Sequence, residues 1–484
     1  MGLFSCRTSP SQPDELMKNL NPTAATASPS PRYPPGFRAR RGLNWGALGL
    51  LYASYYTCRY NFRFAGPGMT KEFGFDAADL ANLWVIWSLA YGTGQLVNGL
   101  ISDRTGGKNI MLAGAVGTIA CNFIFGFSSF VGTFATFGLI ALINGWFQSC
   151  GAPGFVKINA AWFQRTERGT FAGIFGIMIQ LGQFVANTLS PFLLAGFTLT
   201  LWGIGTWVVG PGNWRLLFIV PPFITAIMAV FMAFAVKEEP AQAGHPNAIV
   251  DEIDNSAGTR VSIKDTFKTI FRHPLVWFYA AAYASTGAVR HSSDQMAVMF
   301  FKEHLLIDMN SKPLSVMITL NLMTAMAIIG SIGAGLISDK VFKGARSPVA
   351  MGLYFIEAAV ISCAAIAMFA GLIKPGPLGV FLGCMFLVMT SLTVNSTHSI
   401  VGSAAPMDIG GKKMAGFALG VIDSFQYYGS ALSLFLFGKL FGKYGWSAWY
   451  PLMVMFALSG GFCMFMVMRK QKRMAREANS QINR

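Results

Sequence analysis

The stretch GLISDRTGGK at residues 99–108 decides the fold, because it returns later in the chain as GLISDKVFKGAR at residues 335–346. A second pair keeps a similar separation: YASYYTCR at 52–59 returns as YASTGAVR at 283–290. Matches in the same order and with similar offsets are typical of a chain built from two related halves. Many membrane transporters are built in this way, with the halves related by an axis along the membrane normal.

The composition indicates that the lipid bilayer is the solvent. Of the 484 residues, 53% are hydrophobic and 12% are charged, whereas about a quarter of the residues of a soluble domain are charged. The net charge of +16 is spread between apolar runs, so it indicates loops that set membrane topology and no nucleic-acid partner. The polar segments hold no glycine-rich phosphate loop or nucleophile triad, and the seven cysteines show no metal-site spacing. We therefore expect neither an enzyme nor a cofactor.

Twelve apolar stretches are long enough to cross a membrane, since a helix needs about 20 residues to span roughly 30 Å of hydrocarbon. They predict an all-α membrane protein with twelve transmembrane helices in two pseudo-symmetric six-helix halves. The predicted spans are 44–65, 80–101, 109–129, 133–156, 169–196, 213–236, 274–301, 313–337, 348–371, 377–403, 414–438 and 446–468.

The longest polar stretch lies between the sixth and seventh spans and divides the spans six and six. If the N-terminus is inside, the short loops on its side carry most of the lysines and arginines, so both termini are expected to be cytoplasmic. The predicted organisation is a disordered cytoplasmic tail at 1–43, an N-terminal half at 44–236, a cytoplasmic loop at 237–273, a C-terminal half at 274–468 and a basic cytoplasmic tail at 469–484.

Both copies of the opening stretch carry the pattern G-x-x-x-D-R/K-x-x-G-R/K, with the last basic residue of the second copy displaced by one. They resemble the loop between the second and third helices of the major facilitator superfamily. A topogenic loop would account for the basic residues but not for the repeated Gly and Asp. A glycine lets two helices approach closely and an acid at a helix end can pair with basic groups, so we interpret these loops as a breakable cytoplasmic gate. The candidate gate residues are Gly99, Asp103, Arg104, Lys108, Gly335, Asp339 and Lys340, and Gly107, Gly344 and Arg346 complete the motif.

Two arginines lie deep inside predicted spans. Arg59 and Arg290 each follow the cytoplasmic start of a helix by about 15 residues, which places both roughly 22 Å along it. An arginine at the bilayer centre costs about 2.5–3.5 kcal/mol even on the lenient insertion scale, so it should face a cavity or a partner. Because a guanidinium directs paired hydrogen bonds toward phosphate or carboxylate, we predict that the two arginines converge on an anion, phosphate above all.

Internal acids offer a different role for these arginines. Asp294 lies one turn beyond Arg290, while Glu357 and Asp423 lie in other spans. A local ion pair between Arg290 and Asp294 is therefore an alternative to anion binding. No acidic residue within the same predicted span is available to pair with Arg59.

Tyrosines extend the candidate site. Tyr52 and Tyr56 precede Arg59 by seven and three residues, so all three share one face of the first helix. Tyr91 in the second span and Tyr427 in the eleventh can add hydroxyl donors to the same cavity. Taken singly, a tyrosine in a membrane helix is more often a packing or interface residue than a ligand.

Five segments carry a closer family resemblance. They are YYTCRYNF (55–62), SLAYGTGQLVNGLISDR (88–104), residues 144–169 with NGWFQSCGAP and AWFQRTERG, SDKVFKGARSP (338–348) and AGFALGVIDSFQYYG (415–429).

In these segments the chain resembles the organophosphate:phosphate antiporter family, which contains glycerol-3-phosphate and hexose-6-phosphate transporters and a related hexose-phosphate sensor. The resemblance covers most of residues 44–470. It implies that Arg59 and Arg290 hold the phosphoryl group of the substrate. The residues that match pore tyrosines of the family are Tyr52, Tyr56, Tyr91 and Tyr427.

The fifth helix departs from the family pattern. The family has a His-Asn pair where this chain has Ile179-Gln180, so the pore histidine is absent and Gln180 replaces its neighbour in part. A lysine found in the second helix of glycerol-phosphate carriers is Gln95 here. His291 and His398 could relay protons, but nothing in the sequence pairs them. Arg59 and Arg290, which we call the phosphate clamp, therefore match the family. The residues that would recognise the polyol part of the substrate do not.

Together these features predict a transporter that exchanges a small phosphorylated metabolite, of the glycerol-3-phosphate or sugar phosphate class, for inorganic phosphate by alternating access. We expect a monomeric, multi-pass protein of a bacterial inner membrane, whose partners are the lipid bilayer, the substrate and inorganic phosphate. Two alternatives stay open. One is a transporter-like sensor that binds a sugar phosphate and signals to a kinase, and the other is a carrier of a carboxylate or another anion.

Overall fold

The computed structural model describes residues 33–127, 132–163, 165–201, 205–246, 248, 272, 275–311, 313–342 and 346–482. Within these ranges the side chains of Asp103, 165–176, 201, 205, 207, Asp339, 403–419, 475 and 478–482 are not described. Most of the predicted N-terminal tail and most of the predicted central loop lie outside the described residues.

Helices account for almost all of the described chain. Their bounds are α1 Phe37–Phe73, α2 Ala77–Thr105, α3 Gly107–Phe127, α4 Phe134–Gln148, α5 Gly151–Trp162, α6 Arg165–Leu194, α7 Leu216–Ala235, α8 Val276–Met299, α9 Leu314–Lys340, α10 Arg346–Phe369, α11 Pro377–Tyr444 and α12 Trp449–Ile482. Short helical turns lie at Pro240–Ala243, Phe300–His304, Met309–Ser311 and Gly445–Ala448.

Helices α4 and α5 together correspond to the fourth predicted span. The two residues between them, Ser149 and Cys150, keep right-handed helical backbone angles. The backbone N–H of Ser149 donates to the carbonyl of Gly145, four residues earlier, as in a continuing helix. The interruption therefore bends one pass through the membrane and does not reverse it.

Helix α11 corresponds to two predicted spans, the tenth and the eleventh. If its helix were straight, Gly402 and Gly429 would lie roughly 40 Å apart at 1.5 Å per residue. Both glycines instead pack against adjacent residues of α8: Gly402 against the Tyr283 hydroxyl and Gly429 against the backbone of Ala284. The helical chain therefore turns back on itself between Gly402 and Gly429 and crosses the protein twice.

Two helices that carry buried charged side chains are not among the most apolar segments of the chain. In the part of the chain that the structure describes, seven segments are long and apolar enough to cross a membrane, and neither α1 nor α8 is among them. Helix α1 carries Arg59 and Arg63, and α8 carries Arg290 and Asp294, all of them buried. These two helices therefore depend on their neighbours to shield their polar side chains from lipid.

Three helix pairs make most of the contact between the two halves in the described part of the chain. Helix α2 packs against α11, where the hydroxyls of Ser88 and Ser430 lie 3.3 Å apart. Helix α6 packs against α9, and α1 packs against α8, where Gly66 lies against Met299. Because α1 and α8 carry the predicted arginines, this contact brings the two charged helices together.

A β-hairpin interrupts the predicted all-helical pattern between α6 and α7. Strand β1, Phe197–Leu201, pairs antiparallel with β2, Gly205–Val209, and the hydroxyls of Thr200 and Thr206 lie 3.2 Å apart across the pair. Alternating threonines and apolar residues in FTLTL favour a strand over a helix. The sequence prediction ran the fifth span to residue 196 and assigned no structure to this segment.

Candidate functional site

Arg59 lies in the middle of α1 and is 3% exposed. Its Nε donates a 2.8 Å hydrogen bond to Oε1 of Gln148 on α4. Its guanidinium carbon lies 4.5 Å from the ring centroid of Tyr56, 4.6 Å from that of Tyr91 and 4.9 Å from that of Trp87. Its Nη2 is buried and has no hydrogen-bond partner among the described residues. Aromatic faces and an amide hold the cation in place but leave its charge uncompensated.

Arg290 lies in α8 and is also buried. Its Nη1 lies 3.5 Å from Oε1 of Gln426 on α11, and its Nε is buried without a hydrogen-bond partner. The predicted alternative, an ion pair with Asp294, is not found: the described ion pairs within 4.0 Å include neither Arg290 nor Arg59. The Asp294 carboxylate instead accepts a 3.2 Å hydrogen bond from the Tyr60 hydroxyl on α1. Helix α1 therefore supplies the Asp294 carboxylate with a donor across the interface between the halves.

The fields of the two arginines overlap. Tyr56 on α1 and Asp423 on α11 each interact electrostatically with both Arg59 and Arg290. The Asp423 carboxylate also interacts with the Gln95 side chain on α2. The arginines of the two halves therefore face a common polar region at the interface, and an amide occupies the position where glycerol-phosphate carriers have a lysine.

Four of the predicted tyrosines form one aromatic wall beside Arg59. The ring centroids of Tyr52 and Tyr56 are 5.7 Å apart, and those of Tyr91 and Tyr427 are 4.2 Å apart across the contact between α2 and α11. Gln180 is half-buried on α6, and its Oε1 has no hydrogen-bond partner among the described residues.

Both histidines have partners that the sequence prediction missed. His398 Nδ1 lies 2.9 Å from the Tyr283 hydroxyl, and the two rings stack at 5.3 Å. The ring of His291 lies 5.1 Å from that of Tyr427. A signal for Tyr283 was present, because the YAS repeat makes it the counterpart of Tyr52. The same repeat gave no indication that a histidine would lie against it.

A third buried arginine, Arg63, lies one helical turn beyond Arg59 and was not predicted. Its Nη1 donates a 2.7 Å hydrogen bond to the backbone carbonyl of Asp294, and its Nη2 donates to Oδ1 of Asn187. Asn187 Nδ2 in turn donates a 2.9 Å hydrogen bond to the backbone carbonyl of Leu320 on α9. This network joins the two halves on the side of the arginine pair that faces away from the start of α1. The sequence did contain a signal for Arg63, because this arginine lies within the first predicted span.

The predicted gate is described only in part. The side chains of Asp103 and Asp339 lie outside the described residues, so the structure does not test their proposed role. Arg104 and Lys340, their basic neighbours, are exposed at the ends of α2 and α9.

Two of the candidate gate glycines show no close helix contact among the described residues. A Cβ atom placed on Gly99 or Gly335 would meet nothing within 4 Å, so neither position marks a close helix contact among the described residues. Gly107 supplies that contact instead, since its Cβ would lie 2.5 Å from the carbonyl oxygen of Gly154 on α5.

Lys108 fastens the first gate loop to the end of α7. Its Nζ donates to the carbonyls of Ala233 at 2.6 Å and Val236 at 3.0 Å. The carboxylate of Glu238 accepts the backbone N–H groups of Gly107 at 3.1 Å and Lys108 at 2.7 Å. Glu238 therefore caps the N-terminus of α3, where free N–H groups and the helix dipole favour a negative charge.

Replacing Glu238 with alanine is expected to lower the free energy of unfolding by about 0.5–2 kcal/mol, the usual effect of losing a helix cap. Thermal unfolding of the purified protein in detergent measures the change. Glu239→Ala is the matched control, because Glu239 is exposed and its side chain makes no described hydrogen bond. Equal transition temperatures for the two variants would contradict the capping role.

Comparison with known proteins supplies the family. The sequence profile of the Major Facilitator Superfamily matches residues 48–433. The membrane sensor protein UhpC of Salmonella typhimurium is 24% identical over 423 residues, which cover 85% of this chain and 87% of that protein. The probable hexose phosphate transport protein of Chlamydia trachomatis is 24% identical over 432 residues, with 85% and 87% covered.

A solved structure has the same fold. It is a bacterial homologue of the human lysosomal transporter Spinster in an inward-facing and unoccupied conformation. The TM-score is 0.67 at 13% sequence identity, and the alignment covers 89% of this chain and 97% of the other. The prediction of an all-α membrane fold in two six-helix halves is confirmed, apart from the short hairpin.

Proposed function

Because the chain belongs to the Major Facilitator Superfamily, whose members are membrane transporters and not enzymes, we propose that it exchanges a small phosphorylated metabolite for inorganic phosphate by alternating access. The substrate is of the glycerol-3-phosphate or sugar phosphate class. The single observation that carries this proposal is the pair Arg59 and Arg290. Each is buried with an unpartnered guanidinium N–H, one on each half, and neither has a carboxylate within ion-pair distance among the described residues.

The charges of the site favour an anion. Arg59, Arg63 and Arg290 bring three positive charges to the interface, and Asp294 and Asp423 bring at most two negative ones. At least one positive charge is therefore left without a counter-charge in the described part of the site. A phosphate group, with its several oxygens and up to two negative charges, matches both the excess charge and the free guanidinium donors.

The position of the arginines suggests how binding drives the transport cycle. A phosphoryl group held by Arg59 from one half and Arg290 from the other draws the two halves together around it. Without an anion the two cations stay buried and unpaired, and leaving a buried charge without its partner costs about 3–5 kcal/mol. The empty site therefore reorients slowly, and exchange of one phosphate compound for another is favoured over net flow.

Gating completes this cycle. On the side away from the start of α1, the halves are held together by the network of Arg63, Asn187 and the Asp294 carbonyl. We assign the opposite side to the gate loops that carry Asp103 and Asp339. The protein works as a monomer in a bacterial inner membrane with both termini in the cytoplasm, as the distribution of basic loops favours.

A sensor is the second candidate, and one observation favours it: the relative named as a membrane sensor protein aligns over 85% of the chain. A sensor would keep the same phosphate clamp and would bind a sugar phosphate without carrying it. Proteoliposomes that contain purified protein separate the two functions. Counterflow of radiolabelled phosphate against internal phosphate supports the exchanger, whereas tight binding with no flux supports the sensor.

The substrate class is tested by competition. Purified protein is loaded with labelled inorganic phosphate and challenged with glycerol-3-phosphate, hexose phosphates and organic acids that carry no phosphate. We expect the phosphate esters to displace the label and the organic acids to leave it bound. Displacement by the organic acids at equal concentration would favour a carboxylate carrier and would overturn the proposed substrate class.

A further inference from the structure

Glu357 is the third acid that the sequence offered as a partner for the arginines, and it contacts neither of them. It lies in the middle of α10 and is fully buried, at 0% exposure. Its Oε2 lies 3.1 Å from Oγ1 of Thr397 on α11, and its Oε1 is buried without a hydrogen-bond partner in the described part of the chain. An ionised glutamate in this setting would be a bare charge inside the C-terminal half.

The two oxygen contacts of the Thr397 hydroxyl point to a protonated Glu357. The Thr397 hydroxyl has one hydrogen, and it lies 2.8 Å from the backbone carbonyl of Val394, which can only accept. A hydroxyl that gives its hydrogen to a carbonyl one turn back is common within helices. The contact between Thr397 and Glu357 then needs a second hydrogen, and only a protonated Glu357 can supply it.

The surroundings contain no cation that would stabilise the ionised form. Among the described residues, no charged group acts electrostatically on Glu357. The titratable groups nearby are neutral ones: Tyr354 on its own helix, Cys463 on α12, and the stacked pair of Tyr283 on α8 and His398 on α11. Burying an unpaired carboxylate costs far more than burying a neutral acid with one satisfied hydrogen bond.

We propose that Glu357 is a proton-binding site of this protein, which holds a proton in the folded state and donates it to the Thr397 hydroxyl. The site is connected to the helix that carries Arg290. One turn before Glu357, the Tyr354 hydroxyl lies 2.5 Å from that of Thr286 and 2.6 Å from the Ala282 carbonyl, both on α8. Loss of the proton would place a charge beside this contact, so stability and transport are expected to fall together as the pH rises.

Infrared spectroscopy tests the proton directly and does not depend on transport. The difference between spectra of wild type and Glu357→Gln at neutral pH is expected to contain the carbonyl stretch of a protonated carboxylic acid. Thr397→Val keeps the acid and removes its hydrogen-bond acceptor, so the same band should persist at a shifted frequency. A difference spectrum with only carboxylate bands, or an unshifted band in Thr397→Val, would overturn the proposal.

The pH dependence of stability gives a second test. The transition temperature of wild type is expected to fall as the pH rises, and Glu357→Gln should lose most of that fall because its amide donates to Thr397 at any pH. Glu239→Gln is the matched control: Glu239 is exposed and its side chain makes no described hydrogen bond, so its replacement should leave the fall in place. An alkaline fall in Glu357→Gln as large as in wild type would contradict the proton site.

Discussion

Replacement of Arg59 or Arg290 with lysine is expected to reduce phosphate counterflow in proteoliposomes to the background level while the protein stays folded. Lysine keeps the positive charge but loses the planar fork that binds two phosphate oxygens at once. A hydrogen bond to a charged group contributes about 1.5–3 kcal/mol, so losing one or two of them weakens phosphate binding by about tenfold to several hundredfold or more.

Arg473→Lys is the matched control for these variants. Arg473 lies on the exposed end of α12, where its side chain is 75% exposed and pairs with Glu477, and surface pairs of this kind contribute little. Its counterflow should equal that of wild type. Unchanged counterflow in Arg59→Lys or Arg290→Lys would mean that the guanidinium fork is not what holds the phosphate.

Replacement of Gly287 with valine is expected to cause a severe loss of folded protein. Helices α8 and α11 meet backbone to backbone here: a Cβ on Gly287 would lie 1.9 Å from the Gln426 carbonyl oxygen, and one on Gly429 would lie 1.9 Å from that of Ala284. Neither backbone can move aside without separating the helices, and overpacking commonly costs about 1–3 kcal/mol or more. The close contact also sets the distance between Arg290 and Gln426, so surviving protein should have lost phosphate binding.

Gly352→Val on α10 provides the comparison, because a Cβ there would meet nothing within 4 Å. The yield of monodisperse protein on size exclusion and the transition temperature in detergent measure the effect. We expect Gly352→Val to behave as wild type on both measures. Equal yield and equal stability of the two valine variants would show that the contact between α8 and α11 is looser than described.

The twelve passes could be predicted because lipid requires each spanning segment to satisfy its own backbone hydrogen bonds, which leaves a long apolar helix as the solution. The ends of the helices could not, since helices continue into water wherever polar contacts support them. Helix α1 begins at Phe37 and not at residue 44, and Arg40 within this extension donates a hydrogen bond to the carbonyl of Ala235 on α7. The hairpin Phe197–Val209 was missed because its apolar residues follow directly on a predicted span.

The pair Arg59 and Arg290 could be singled out because a charge inside a membrane helix is rare and the repeat places both at one depth. Their partners could not be, because these partners come from other helices at unrelated distances in sequence. Gln148 lies 89 residues from Arg59, and Gln426 lies 136 residues from Arg290. Helix packing decides which side chains meet. A sequence pattern along one helix carries no information about which residues of other helices will contact it.

The central claim is that one phosphate group bridges the two halves through Arg59 and Arg290, and a structure determined in the presence of inorganic phosphate tests it most directly. The account predicts anion density between Nη2 of Arg59 and Nε of Arg290, which are buried donors without a partner among the described residues. Phosphate bound elsewhere, with either arginine paired to a carboxylate such as Asp423 instead, would contradict it.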